Sequence, residues 1–419
     1  MGTVNHKPFF LIKTIWEWIF AMTAFMAMNP YFMWDTMENR FVLIIYRIFQ
    51  ITIASGFIFA VLSRNIKIYK KYLVYMMLLG FYFLYTNKAG SASKSGLLIK
   101  LLIIVSIILL DNDLKRRILI KFTIIFAISL IPAIFIQIMG MLNIKLPYSR
   151  LNPPKGVKLD EGVYYRHYFG AIEGYFKWSK GHVRLCGMFD EPGTVGTMAG
   201  LLLAANERRK SWIRCVLFIG GILSLSFAFF VIYVCYIGLI LISEKRIITI
   251  AVYMLGLGCI LFLLSQMPKE TLVYRYTISR LEIKNGKLMA DNRTSSYFDQ
   301  EYNRYVRTTK IFTGAEKKTI DQLTRGLSSY KLVIYEYGIV VFFILVYIVL
   351  RAKYFFENRQ NRVFLDNKNI LILLFLMSIY QRPNVINLPF LIVLYGGLAN
   401  HVIIKKECER KLNESIVIW

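Results

Sequence analysis

The feature that most constrains this chain is a series of long apolar runs separated by short basic clusters, at about 8–28, 41–62, 72–86, 97–110, 118–140, 193–205, 211–242, 247–265, 333–350, 368–380 and 388–402. About 20 apolar residues in a helix cross a hydrocarbon core roughly 30 Å thick. Hydrophobic residues make up 56% of the 419 positions and charged residues 18%, too apolar a balance for a soluble surface. The expectation is an all-α polytopic membrane protein. The first run continues past Ala27 without a small-residue cleavage site, so it reads as a spanning helix rather than a signal peptide.

A formal charge of +27 in a soluble chain would suggest nucleic acid. Here the cations sit between apolar runs, as they do in cytoplasmic loops, so nucleic acid is not the expected partner. Arg64, Lys67, Lys70 and Lys71 form one cluster, Lys115, Arg116 and Arg117 a second, and Arg208, Arg209 and Lys210 a third. Lys245 and Arg246, Arg351 with Lys353, Arg359 and Arg362, and Lys405 with Lys406 continue the series. With all of them inside, strict alternation fails only at 211–242, which must then cross twice and turn near Ser224–Phe227. That reading gives about twelve spans with both termini in the cytoplasm.

The organisation follows from the same parity. Residues 1–140 hold five spans, 141–192 a first large external loop, 193–265 spans six to nine, 266–332 a second large loop, and 333–419 the last three spans and a tail. Loops this long usually work or are disordered, and the aromatics Tyr164, Tyr165, Tyr168, Tyr175, Phe176 and Trp178 argue for folding. Of the cysteines only Cys186 falls in an expected external segment, which excludes a disulfide framework there. The surplus of cations in the loops suggests an anionic ligand.

There is no Walker loop, dinucleotide glycine fingerprint, HExxH, paired CxxC or DxD-like pair, so no cofactor is expected. The most specific segment runs from Arg184 to Gly193. Pro192 suits a first helical position and Asp190 or Glu191 a cap, which starts a helix running to about Ala205. Fourteen residues cover about 21 Å, less than a full crossing, so its N-terminus and dipole are expected below the interface, where they can meet an anion. The plainer reading makes Asp190 and Glu191 caps and Arg184 their ion-pair partner.

The pattern Arg184, Gly187, Phe189, Glu191, Pro192, with the turn Gly326-Leu327-Ser328-Ser329-Tyr330 and the helix carrying Tyr335-Glu336-Tyr337-Gly338, resembles the Wzy-type O-antigen polymerases and related O-antigen ligases. That resemblance implies a GT-C-like glycosyltransferase of the bacterial inner membrane with its site facing the periplasm. It would move a growing glycan from undecaprenyl diphosphate to an incoming lipid-linked repeat unit, without a metal and with inversion, beside membrane lipid and a chain-length regulator protein. Guanidinium groups match phosphate oxygens bidentately and can stabilise the leaving diphosphate.

Arg184 is accordingly the expected catalytic arginine. Among Arg275, Arg280, Arg293, Arg304, Arg307 and Arg325 of the second loop, the chosen substrate-binding residues are Arg280, Arg304 and Arg307. Arg47 is an intramembrane candidate for the same diphosphate. Glu191 is the first choice of base, ahead of His182, Asp190 and His167, with His182 retained as a substrate-binding residue. Lys13 and Glu17 are spaced to pair on one helix face, while Lys100 and Lys121 read as snorkelling near span ends. A ligase would carry a histidine in the second loop, and 266–332 has none, which favours the polymerase. A flippase or other transporter is the alternative of another class, and related halves would mark it.

The topology makes a first prediction. Single cysteines introduced near Gly156 and Lys287 should react with an impermeant maleimide in intact spheroplasts; protection of both would overturn it.

Overall fold

The computed structural model describes residues 7–34, 40–63, 70–87, 94–153, 162–176, 184–207, 211–284, 287–289, 293–315, 327–356 and 366–416. Among these the chain is mostly helical. Helices α1 (Lys7–Ala27), α2 (Arg40–Leu62), α3 (Leu73–Thr86), α4 (Lys94–Leu109) and α5 (Asn112–Met141) follow the first five apolar runs. Asp111 caps α5 by accepting from the Leu114 N–H at 2.7 Å.

The first polar segment folds as an antiparallel sheet in the order β1 (Ser149–Leu151), β2 (Val163–Tyr168), β3 (Ala171–Phe176), with Tyr165 opposite both Leu151 and Gly174. Next come α6 (Pro192–Ala205), α7 (Ser211–Leu223), α8 (Phe227–Ser243) and α9 (Ile247–Ser265). The second polar segment holds short helices α10 (Leu272–Tyr276) and α11 (Ile278–Leu281), the strand pair β4 (Ile283–Lys284) and β5 (Lys287–Leu288), and α12 (Ser296–Tyr305). The chain ends with α13 (Tyr330–Tyr337), α14 (Ile339–Arg351), α15 (Asn367–Gln381) and α16 (Leu388–Ile416). An all-α expectation omits the two small sheets, which lie in the polar segments.

By length and composition α2, α5 and α9 can each cross a membrane, and several shorter apolar helices accompany them. Helix α9 has no buried residue, with Ile247, Ile248, Leu255 and Phe262 all exposed. A helix apolar on every side and uncovered by protein is one that lipid covers.

Two runs break where backbone geometry demands it. The run 211–242 divides at Ser224–Ser226, with Leu225 at φ +44°. The run 333–350, expected as one helix, is two: Gly338 has φ +87°, and a Cβ there would collide with the Phe312 carbonyl. Only glycine tolerates both conditions.

The core centres on α6, which packs against α7, α8, α15 and α16. From Val195 to Ala205 every α6 residue is buried. Its small residues allow this, since Gly196 lies under Ser226 and Gly200 under Ile232. Short side chains let helix axes approach closely, the packing mode favoured inside membranes.

Glu17 corrects a local expectation. It is buried at 2% exposure on α1 and pairs across to α5, with Arg117 at 2.6 Å and with Lys121. Lys121 is therefore an ion-pair partner rather than a snorkelling residue; the Lys13 side chain lies outside what is described. Removing Glu17 takes the shared counter-charge from Arg117 and Lys121, which are partly exposed. Glu17→Gln should cost about 1–2 kcal/mol and lower the thermal unfolding midpoint in detergent. An unchanged midpoint would show that the cluster adds nothing to stability.

Candidate functional site

The segment before α6 is held in place by its backbone. The Leu185 N–H donates to the Leu223 carbonyl at 3.1 Å, the Gly187 carbonyl accepts from Ile172 of β3 at 2.8 Å, and the Met188 carbonyl accepts from Tyr31 at 2.8 Å. Tyr165 of β2 reaches down to donate its hydroxyl to the Asp190 carbonyl at 2.6 Å. The sheet is thus a clamp: Trp34, Leu151, Tyr165 and Ile172 bury Cys186 beneath it. Although Cys186 belongs to a polar segment, it is not exposed.

The clamped segment is recessed. Phe189 stacks on Phe126 of α5 at 5.8 Å, and a Cβ on Gly187 would lie 3.4 Å from Leu130. At 1.5 Å per residue, α5 continues about 16 Å beyond Leu130 to its end at Met141. The start of α6 therefore lies well below the end of its neighbour.

Four arginines gather at this recessed helix start. Glu191 occupies the N-cap position of α6, but its side chain does not cap. Its Oε2 instead meets Arg382 Nη2 at 2.6 Å and Arg293 Nη1 at 3.7 Å. Gly193 makes the approach possible, because a Cβ there would stand 2.7 Å from Arg382 Nη2 and 3.0 Å from Arg293 Nη2. Arg184 donates from Nε to the Ser224 carbonyl at 2.9 Å rather than to either acid, and its guanidinium lies 4.4 Å from the Tyr276 ring centroid. Arg280 approaches the same ring at 5.8 Å. The space between them is a cavity of about 150 Å³ lined by Arg184, Glu191, Gly193, Tyr276, Arg280 and Arg293.

The electrostatics of this group are unbalanced. Among the described residues four guanidiniums and the Glu191 carboxylate gather beside a helix N-terminus, so cations outnumber the acid they meet. Burial pulls the Arg184 guanidinium below its usual pKa, with Arg280 adding to the effect. Burial and then the neighbouring Arg382 do the same to Arg293. Arginine nevertheless stays charged, so the group has the electrostatic character of an anion site.

The structure brings Arg184, Glu191 and Arg280 together and adds Arg293, Arg382 and Tyr276. Arg304 is elsewhere, on α12, with its side chain 78% exposed and paired with Glu301 at 2.8 Å. Arg307 is also exposed. Arg47 is exposed on α2 and donates to Gln50 at 3.2 Å. His167 is in the sheet, with Nδ1 3.3 Å from Ser149 Oγ and its ring against Tyr31. His182 and Arg325 lie outside the described residues. Among the described residues no three His, Cys, Asp or Glu side chains group as a metal would require.

Arg293 was one of several loop arginines without a distinguishing signal. Arg382 was hidden by its place at the end of an apolar run, and only the adjacent Pro383, which stops the helix, marks the position. No family model, no curated protein and no solved structure matches this chain.

Since Glu191 is the internal anion of the cluster, Glu191→Gln should bind inorganic diphosphate about tenfold more tightly than the parent protein, an effect that salt weakens. Calorimetry in nanodiscs measures it. Equal affinity for both proteins would show that the carboxylate does not compete for the cluster.

Proposed function

We propose that this chain is a membrane glycosyltransferase that transfers a growing glycan from undecaprenyl diphosphate to an incoming undecaprenyl-diphosphate-linked repeat unit, as an O-antigen polymerase does. The observation that carries the reading is the recessed cluster of Arg184, Arg280, Arg293 and Arg382 around Glu191. A diphosphate leaving group gains negative charge as the glycosidic bond breaks. Guanidinium groups held in advance at that position stabilise the transition state more than the ground state.

In this reading the diphosphate displaces the Glu191 carboxylate from Arg382 and Arg293. The freed carboxylate accepts the proton of the attacking hydroxyl. One base suffices for a single displacement, so the anomeric configuration inverts. Positive charge from the arginines takes the place of a divalent ion. The recess suits a lipid-linked substrate whose phosphates lie near the level of the headgroups.

The reading includes a GT-C-like arrangement of about twelve spans in the bacterial inner membrane, both polar segments in the periplasm, and a chain-length regulator as partner. It is supported by the meeting of helix ends: Pro192, Ser226 and Gln381, which alternation places on one side, line one cavity. The folded sheet and its clamp on the α6 start favour a fixed transfer site over the alternating access of a flippase.

The test is elongation of a defined undecaprenyl-diphosphate repeat unit by purified protein. Arg184→Ala, Arg293→Ala and Arg382→Ala should each lower the rate about a hundredfold or more. Arg184→Lys should be nearly as impaired as Arg184→Ala, because the bidentate fork is lost. Activity should persist in EDTA, and NMR of the product should show inversion. Normal elongation by all three alanine variants would overturn the assignment of the donor site, and would leave Arg304, Arg307 and Arg47 to be tested in the same way.

A further inference from the structure

A second and larger cavity, of about 440 Å³, lies beside the arginine cluster. Its lining mixes polar and apolar side chains. Tyr46 and Gln50 come from α2, Lys100 from α4, Glu336 and Tyr337 from α13, and Asn384 from the turn between α15 and α16. The two cavities share a wall. Ser328 lines the larger one, donates its N–H to the Arg293 carbonyl at 3.1 Å and donates its hydroxyl to the Gln381 carbonyl at 2.8 Å. Gln381 lines the arginine cavity on the other side, and Pro383, which follows Arg382, lines the larger one.

Polar side chains gathered in an apolar body are costly unless something meets their hydrogen-bonding capacity. Gln50 is buried at 3% exposure, with its Oε1 already accepting from Arg47 at 3.2 Å. Lys100 makes no hydrogen bond or ion pair among the described residues, although it faces this cavity. The chemistry differs from that next door. Among the described residues its lining holds one ammonium, Lys100, and one carboxylate, Glu336, with amides and phenols, so donors and acceptors are mixed. Ile103, Ile104 and Leu332 add an apolar wall. Mixed hydrogen-bonding groups and aromatic hydroxyls against an apolar wall suit a polyhydroxylated ring, with its equatorial hydroxyls and its C–H faces. They suit neither a diphosphate nor an acyl chain.

We infer that this cavity binds the saccharide of the accepting repeat unit, with Lys100, Glu336 and Asn384 contacting its hydroxyl groups. The inference rests on the glycosyltransferase reading and extends it. A donor glycan lengthens at every cycle and needs an open path, whereas an acceptor presents the same short saccharide each time and can be matched by a bounded cavity. The shared Ser328–Gln381 wall keeps the acceptor next to, but apart from, the diphosphate at Arg293.

The test uses two probes on the full-length protein in nanodiscs. One is the soluble repeat-unit oligosaccharide released by mild acid from lipid-linked intermediates of cells expressing the protein; the other is inorganic diphosphate. Lys100→Met and Glu336→Gln should weaken oligosaccharide binding about tenfold while leaving diphosphate binding within about twofold. Arg293→Ala should do the reverse. Asn384→Ala, at an exposed turn, serves as a third variant if a change within a helix prevents folding. Unchanged oligosaccharide affinity in the folded variants, or no oligosaccharide binding by the parent protein, overturns the inference. If the parent protein fails to bind diphosphate but its saccharide binding responds to these variants, the cavity assignment stands and the arginine-site reading falls.

Discussion

The whole arrangement depends on α6 being narrow enough to be surrounded. Gly193, Gly196 and Gly200 lie on a helix whose neighbours come within van der Waals distance of its backbone. At Gly196 the contact is with Ser226 and at Gly200 with Ile232, so the α7–α8 turn and α8 close over one side. At Gly193 the same absence of a side chain admits two guanidiniums instead of a hydrocarbon. One packing device therefore makes both the core and the site.

Burying cations has a cost that constrains everything else at that helix start. A guanidinium withdrawn from water needs a counter-charge, hydrogen-bond acceptors or an aromatic face. Among the described residues Arg382 and Arg293 share Glu191, Arg184 has the Ser224 carbonyl and the Tyr276 ring, and Arg280 shares that ring. Because one carboxylate serves two arginines, its displacement by a multiply charged anion is an exchange of partners rather than a loss of them. That exchange couples anion binding to release of a carboxylate in the proposed mechanism.

The polar segments act as positioning devices. The three-stranded sheet holds the backbone from Leu185 to Asp190 through Ile172 and Tyr165, while the second segment delivers Tyr276, Arg280 and Arg293. Phe298, Tyr305, Ile334 and Tyr335 pack together and anchor that second segment to α13. Rigidity at these anchors matters because bidentate recognition fails with small errors in guanidinium placement.

Apolar periodicity and the proline at position 192 were sufficient, without coordinates, to identify a helical, lipid-compatible chain and the start of α6. Hydrophobic run length and helix-start chemistry are local properties. The break at Ser224–Ser226 was legible for a related reason, since that run is too long for one straight helix. The break at Gly338 was not, because it depends on a backbone contact with Phe312, distant in sequence. Arg184 and Glu191 stand out in a local pattern, yet nothing local separates Arg280 and Arg293 from Arg304 and Arg307, or marks Arg382 at all. Which arginines converge is decided by long-range geometry: three separate segments must meet at one glycine-lined helix end. Tertiary structure alone made that choice, as it alone brought Lys121, read as snorkelling, onto the buried Glu17.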